Sequence, residues 1–167
     1  MGHDDEAVVK KLIELQTEES SELLPATVDR AFGGDPAMLG RFVLTLMTAL
    51  PVGTKLYLRG SAVMGESYVS HEPFDADGPG SSDLDVVVCG SEVMALFADD
   101  GFYLPGINSR PLCDADREVA PSLDRARSRA QALAGRPVSI QAMAEFFLDA
   151  RSVAQDTPFL PLGIVPG

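Results

Sequence analysis

At 167 residues, 46% of them apolar and 23% charged, the chain is long enough to bury one substantial core and has the composition of a globular protein. A net charge of −12, from 25 acidic against 13 basic residues, argues against broad, sequence-independent binding to duplex nucleic acid, whose affinity rests on Lys and Arg at phosphates. No apolar run approaches the roughly 18 residues of a membrane span, MGHDDEAVVKKL lacks the apolar segment of a secretory leader, and the two cysteines build no disulfide framework, so the expectation is a soluble, cytoplasmic protein.

In chain order, Val8, Leu12, Ile13 and Leu15 predict a first helix over 5–23, with Asp4 or Asp5 as N-cap and Pro25 as its stop. Asp35 and Pro36 suit the cap and first turn of a second helix, which packs Phe42, Leu46 and Leu50 before Pro51 ends it. TKLYLRGS alternates polar and apolar residues and reads as a strand ending in a Gly60-Ser61 turn. The stretch 67–82, crowded with Gly, Pro, Asp and Ser, reads as an extended loop. LDVVVCG is a buried strand with Cys89 as a small core residue, followed by a short helix, SEVMALFAD, capped by Ser91. GFYLPGINSRPLCDADREVA reads as irregular. PSLDRARSRAQALAG is a helix that turns Leu123, Ala126, Ala130 and Leu133 inward, stops at Gly135, and spreads Arg125, Arg127 and Arg129 over a solvated surface. RPVSIQAM alternates like a strand, AEFFLDARSVAQ follows as a last helix, and DTPFLPLGIVPG is a Pro-rich tail. This order predicts an α/β fold, a small mixed sheet flanked by helices, in one domain over 1–167.

Within that frame, GSSDLDVVVCG poses a physical question. Aspartate is a poor strand former and is costly to bury without partners, yet Asp83 and Asp85 stand at the mouth of a buried strand. Alternation puts both on one side, with Leu84 and Val86 on the other. Two carboxylates that close call for a cation or a shared proton. Hard oxygen donors at a strand end suit Mg²⁺, which binds through one or two carboxylates plus substrate phosphates. The preceding strand ends in Gly60-Ser61, whose backbone N–H groups and hydroxyl suit a phosphate. Arg59, just before it, is a candidate to steady a triphosphate, and Ser82 to join the phosphate side.

Taken together, LRGSAVMGES and SSDLDVVV resemble the signature of the nucleotidyltransferases related to DNA polymerase beta, over residues 56–88. The resemblance implies a nucleotidyltransferase-like fold in which Gly60 and Ser61 hold the nucleotide phosphates. It also implies that Asp83 and Asp85 ligate Mg²⁺ and serve catalysis. The implied reaction moves a nucleoside monophosphate from a nucleoside triphosphate such as ATP to an acceptor and releases pyrophosphate. With this acidity, the acceptor is expected to be a small molecule or a protein side chain, not a long nucleic acid. The small size leaves room for a homodimer.

Two departures from the family pattern are visible. Twenty-one residues separate Ser61 from Asp83, the surplus lying in the loop 67–82. Active members also carry a third carboxylate on a later strand, where VSIQA offers Ser139 and Gln141; Glu145, Asp114 and Asp116 are the remaining candidates. Without it, the alternative is a non-catalytic nucleotide-binding or regulatory module of the same fold. Other motifs are excluded by their own geometry. DADGPGSSD read as an EF-hand loop puts Val86 where a bidentate Glu is needed, and Asp75 and Asp77 read better as turn residues. His71 reads as a surface loop residue, and no P-loop, dinucleotide fingerprint or HExxH pair is present.

Overall fold

In the computed structural model, which describes residues 2–167, the N-terminal segment forms two helices, α1 (His3–Leu15) and α2 (Glu18–Ala31), where its pattern predicts one ended by Pro25. Thr17 explains the break. Its hydroxyl accepts the Ser20 N–H (3.2 Å) while the Ser20 hydroxyl accepts the Thr17 N–H (2.8 Å), a reciprocal cap that starts a new helix. Pro25 then lies inside α2, at an intrinsic cost of about 3 kcal/mol. It is on the exposed side, where water can take up the freed carbonyl, and beyond it Thr27, Val28 and Ala31 are buried. Tertiary packing, not propensity, carries the helix through.

The next elements follow their sequence signals. The Asp35 carboxylate accepts the Ala37 N–H (3.0 Å) and caps α3 (Pro36–Met47). β1 (Lys55–Arg59) leads into the single turn α4 (Ser61–Met64), and the stretch 67–82 is a loop without helix or strand. β2 (Leu84–Cys89) is followed by α5 (Ser91–Met94); here Ser91 is the first helical residue and its side chain caps nothing, since Gly90, at φ 147°, makes the turn. The segment read as irregular contains a small antiparallel ribbon, β3 (Phe102–Leu104) and β4 (Asn108–Ser109). α6 (Pro121–Ala134), β5 (Val138–Ala142) and α7 (Glu145–Gln155) come next, and the Pro-rich tail forms a strand, β6 (Leu160–Ile164). Leu160 and Leu162 are buried there, and Pro161 is admitted because β6 is an edge strand.

Among the described residues the protein is thus a mixed α/β structure with seven α-helices and a four-stranded mixed sheet in the order β5-β2-β1-β6. β1 is antiparallel to both β2 and β6, and β2 is parallel to β5. Leu56, Leu58, Val86, Val88, Val138 and Ile140 project from one face into a core that runs from Leu12 to Val165. The opposite face carries a smaller cluster, Val87, Cys89 and Met143, under Leu148 of α7. No helix is long and apolar enough to cross a membrane.

Arg127 departs from the solvated surface its helix predicts. It is fully buried, and its guanidinium donates to Asp124 (2.9 Å), Asp114 (2.8 Å), Gln131 (3.0 Å) and the Val138 carbonyl (3.1 Å). It joins α6 to β5 and to the segment after Leu112. Helical periodicity alone does not reveal a buried ion network of this kind.

Candidate functional site

Strand register sets up the site. Arg59 stands opposite Asp85 in the β1–β2 pair, and Asp85 opposite Ser139 in the β2–β5 pair. One row across three strands therefore reads Arg59, Asp85, Ser139, on the same face as Val87 and α7. Asp85 is half-buried, and its Oδ1 accepts the Ser139 hydroxyl (2.9 Å). Burial, and then the neighbouring Asp83 carboxylate, push the Asp85 carboxyl up to about 6, against the Ser139 hydrogen bond and the Arg59 charge. Asp83 lies one residue before β2 and is exposed. The two carboxylates share a side, as alternation predicts, and a proton or a cation placed between them relieves their repulsion.

Gly60 brings the other half of the motif to the same place. Its backbone sits at φ 85°, ψ −158°, and a Cβ there would run into the Asp85 carboxylate. Ser61 opens α4, whose Val63 and Met64 N–H groups bond back to the Gly60 carbonyl (3.1 and 3.0 Å). Arg59 is half-buried and its side chain makes no hydrogen bond or ion pair among the described residues; burial, and then the Arg151 charge, lower its pKa, partly offset by Asp85. So Gly60, Ser61, Arg59, Asp83 and Asp85 come together.

Ser82 plays an anchoring part. Its hydroxyl accepts the Asp75 N–H (2.8 Å), and its own N–H donates to Asp75 Oδ1 (3.0 Å). Asp75 is clamped in turn by Arg136 (2.7 and 3.0 Å), which also donates to the Ser82 carbonyl (3.1 Å) and lies over the Phe74 ring at 4.6 Å. The Arg136 hydrogen bond holds the Asp75 carboxyl down to about 2. Asp75 is a turn residue as read, and the ion pair adds a rigid base to the long loop, immediately before Asp83. His71 sits at the exposed end, 3.4 Å from Glu66.

None of the three candidate carboxylates reaches the aspartate pair. Glu145 binds Lys55 (2.9 and 3.0 Å) and the Tyr57 hydroxyl (2.8 Å) at the far end of β1, four residues or ~13 Å along the strand from Arg59. Asp114 is held by Arg127 and Gln131, and Asp116 by Arg110 (2.9 Å). Each is neutralised by its own partners. The place next to Asp85 on β5 is filled by Ser139. Among the described residues no group of three or more His, Cys, Asp or Glu side chains is arranged to hold a metal. The donor set is two carboxylates, which fits Mg²⁺ keeping several waters and does not fit an all-protein cage.

Beside this row lies a cleft of about 710 Å³ between α7 and the β3–β4 ribbon, lined by Tyr103, Asn108, Gln141, Phe147 and Arg151. Sequence reading passed over Arg151, a lone cation in an amphipathic helix with no local signal. VSIQA offers Ser139 and Gln141 on one side of the strand, but the bond of Ser139 to Asp85 depends on strand order. No protein-family model matches the chain, and neither a curated protein nor a solved structure is significantly similar to it.

Proposed function

We propose that the protein binds a nucleoside triphosphate with Mg²⁺ at Asp83 and Asp85 and transfers its nucleoside monophosphate to a small-molecule or protein acceptor, in a nucleotidyltransferase-like fold related to that of DNA polymerase beta. The observation that carries this reading is the packing of the Gly60 backbone against the Asp85 carboxylate, with Asp83 alongside. Phosphate-binding backbone and metal-binding carboxylates are then neighbours, as an incoming metal triphosphate requires. Bound there, Mg²⁺ would neutralise the two carboxylates and the phosphate oxygens together. Gly60 and Ser61 orient the phosphates, Arg59 adds positive charge, and Ser82 fixes the approach to Asp83.

Ser139 favours a second reading. A hydroxyl donating to Asp85 is a poor substitute for a carboxylate that takes a proton from an acceptor, so the same site would serve binding without transfer. Thermal unfolding with each of the four ribonucleoside triphosphates, with and without Mg²⁺, tests both. A Mg²⁺-dependent rise in Tm that is lost in Asp83→Asn supports the site. Pyrophosphate release on adding candidate acceptors then separates transferase from binding module. If no triphosphate shifts Tm in the wild type, both readings fail.

A further inference from the structure

We propose that Arg59 and Arg151 together hold a phosphate group of a small molecule whose body lies in the cleft along β5, independently of any metal at the aspartate pair.

Topology brings the two arginines together. Glu145, in the first turn of α7, is bonded to Lys55 and Tyr57 at the start of β1, and Phe147 and Leu148 pack in the cluster with Tyr57 and Val87, so α7 lies over this face of β1 and β2. Arg151 lies six residues further, ~9 Å along the helix, where it borders the cleft with Gln141, two places along β5 from Ser139 in the Arg59 row. Tyr57 and Arg59 share the sheet face that α7 covers. The Arg151 charge is close enough to disfavour the charged form of Arg59.

The partners these arginines lack are as informative. Among the described residues, the other partly buried or buried arginines are all engaged. Arg30 donates to the Ala62 and Val63 carbonyls, Arg41 pairs with Asp5 and Asp35, Arg110 with Asp116, and Arg127 and Arg136 with the carboxylates given above. Arg59 has no such contact, and Arg151 only a long bond (3.4 Å) to Gln155. In a chain with 25 acidic and 13 basic residues, two half-buried guanidiniums that form no ion pair are unlike the rest of the molecule, and Asp85, opposite Arg59, offsets only part of their charge. Two like charges held together in a partly desolvated place cost free energy that a phosphate dianion offsets, and guanidinium forks match its oxygens.

Arg151 also borders the cleft. Phe147 and Tyr103 offer planar apolar surface there, and Gln141 and Asn108 offer amide groups, Gln141 being fixed by its bonds to Asn108 (2.8 Å) and the Ser109 carbonyl (2.7 Å). A ligand with a phosphate at one end and a planar or apolar body at the other matches this arrangement. Gly60 and Ser61 lie at the β1 side of Asp85 and the cleft at its β5 side, so the cleft ligand is the acceptor if the proposed transfer reaction holds. That role rests on the proposed function; the phosphate site itself does not.

The test uses the full chain, with inorganic phosphate, AMP and ATP as probes, each with and without Mg²⁺, followed by calorimetric titration and thermal unfolding. Wild type and Asp83→Asn are expected to bind phosphate and AMP equally well and without Mg²⁺. Arg151→Gln, a change on a helix surface that leaves Asp83 and Asp85 intact, is expected to weaken that binding about tenfold or more, as is Arg59→Gln. Stronger binding of AMP than of inorganic phosphate assigns the cleft to the ligand body. If Arg151→Gln binds as the wild type does, or if neither probe binds the wild type, the proposal is overturned. Binding seen only with ATP, requiring Mg²⁺ and Asp83, also overturns it and assigns the phosphates to the aspartate pair. Metal-independent phosphate binding together with no Mg²⁺-dependent triphosphate effect keeps this site and rejects the proposed function.

Discussion

Gly60, just past the end of β1, lies so close to the Asp85 carboxylate that no side chain fits between them. The backbone conformation of Gly60 belongs to a region that essentially only glycine enters, at a cost of about 1–3 kcal/mol for any other residue. Gly60→Ala is therefore expected to lower stability by at least that amount in urea unfolding, and to abolish any Mg²⁺-triphosphate shift in Tm.

The Asp85 carboxyl gives metal-free stability a defined pH dependence. Its folded pKa, about 6, lies above the 3.8 of an unperturbed aspartate. Between those values the folded chain holds a proton that the unfolded chain has lost, so stability falls as pH rises through that window. Asp85→Asn removes the effect. In chelator, the variant is expected to exceed the wild type above pH 6 by on the order of 1–3 kcal/mol, and to match it below pH 4. Equal urea midpoints for both at pH 8 would contradict the assignment.

Ser139→Asp places a third carboxylate beside Asp85, in the row across β2 and β5. Mn²⁺ or Mg²⁺ affinity, measured by calorimetric titration, is expected to rise about tenfold, and metal-free Tm to fall through added repulsion. If catalysis lacks only a base, this variant is also the one in which pyrophosphate release should increase.

The clamp of Arg136 on Asp75 predicts the opposite pH sign. Its depressed carboxyl, near 2, contributes stability above the unfolded value of 3.8, and that contribution is lost as pH falls toward 2. Asp75→Asn should flatten acid unfolding over that range. Because the clamp ends on Ser82, next to Asp83, Arg136→Ala should also weaken metal-dependent nucleotide binding while leaving phosphate binding at Arg151 unchanged.

Removing the buried Arg127 guanidinium takes the donor from the Val138 carbonyl and leaves the Asp124 carboxylate only the longer pair with Arg117 (3.7 Å). Arg127→Ala is expected to cost about 3–5 kcal/mol in urea unfolding. Arg127→Met, which keeps the volume, should cost less.

The sequence carries the motif elements because they are local. The Asp35–Pro36 start of α3, the Gly135 stop of α6, the strand alternations around Tyr57 and Val86, and the pairing of Asp83 with Asp85 each follow from residues a few positions apart. What was misread is decided across the chain. Pro25 is tolerated because residues beyond it are buried, β6 forms because β1 offers an edge, and Arg127 is buried because Asp114 comes from a separate segment. The candidate carboxylates failed for the same reason, since each lies near a Lys or Arg that spacing does not reveal. Ser139 beside Asp85 is likewise a product of strand order, and the place of Arg151 a product of how α7 lies on the sheet.

The pairing of β1 with β6 joins residues about a hundred positions apart in the chain. During synthesis at about 5–20 residues per second, β1 can pair with β2 early, yet its other edge stays open for ~5–20 s until β6 has been made. An open edge strand with Leu56 and Leu58 is a template for pairing with other chains. The strand that presents Gly60 is thus the most vulnerable part of the nascent protein, and the yield of folded molecules should depend on chaperone protection and low temperature more than equilibrium stability suggests.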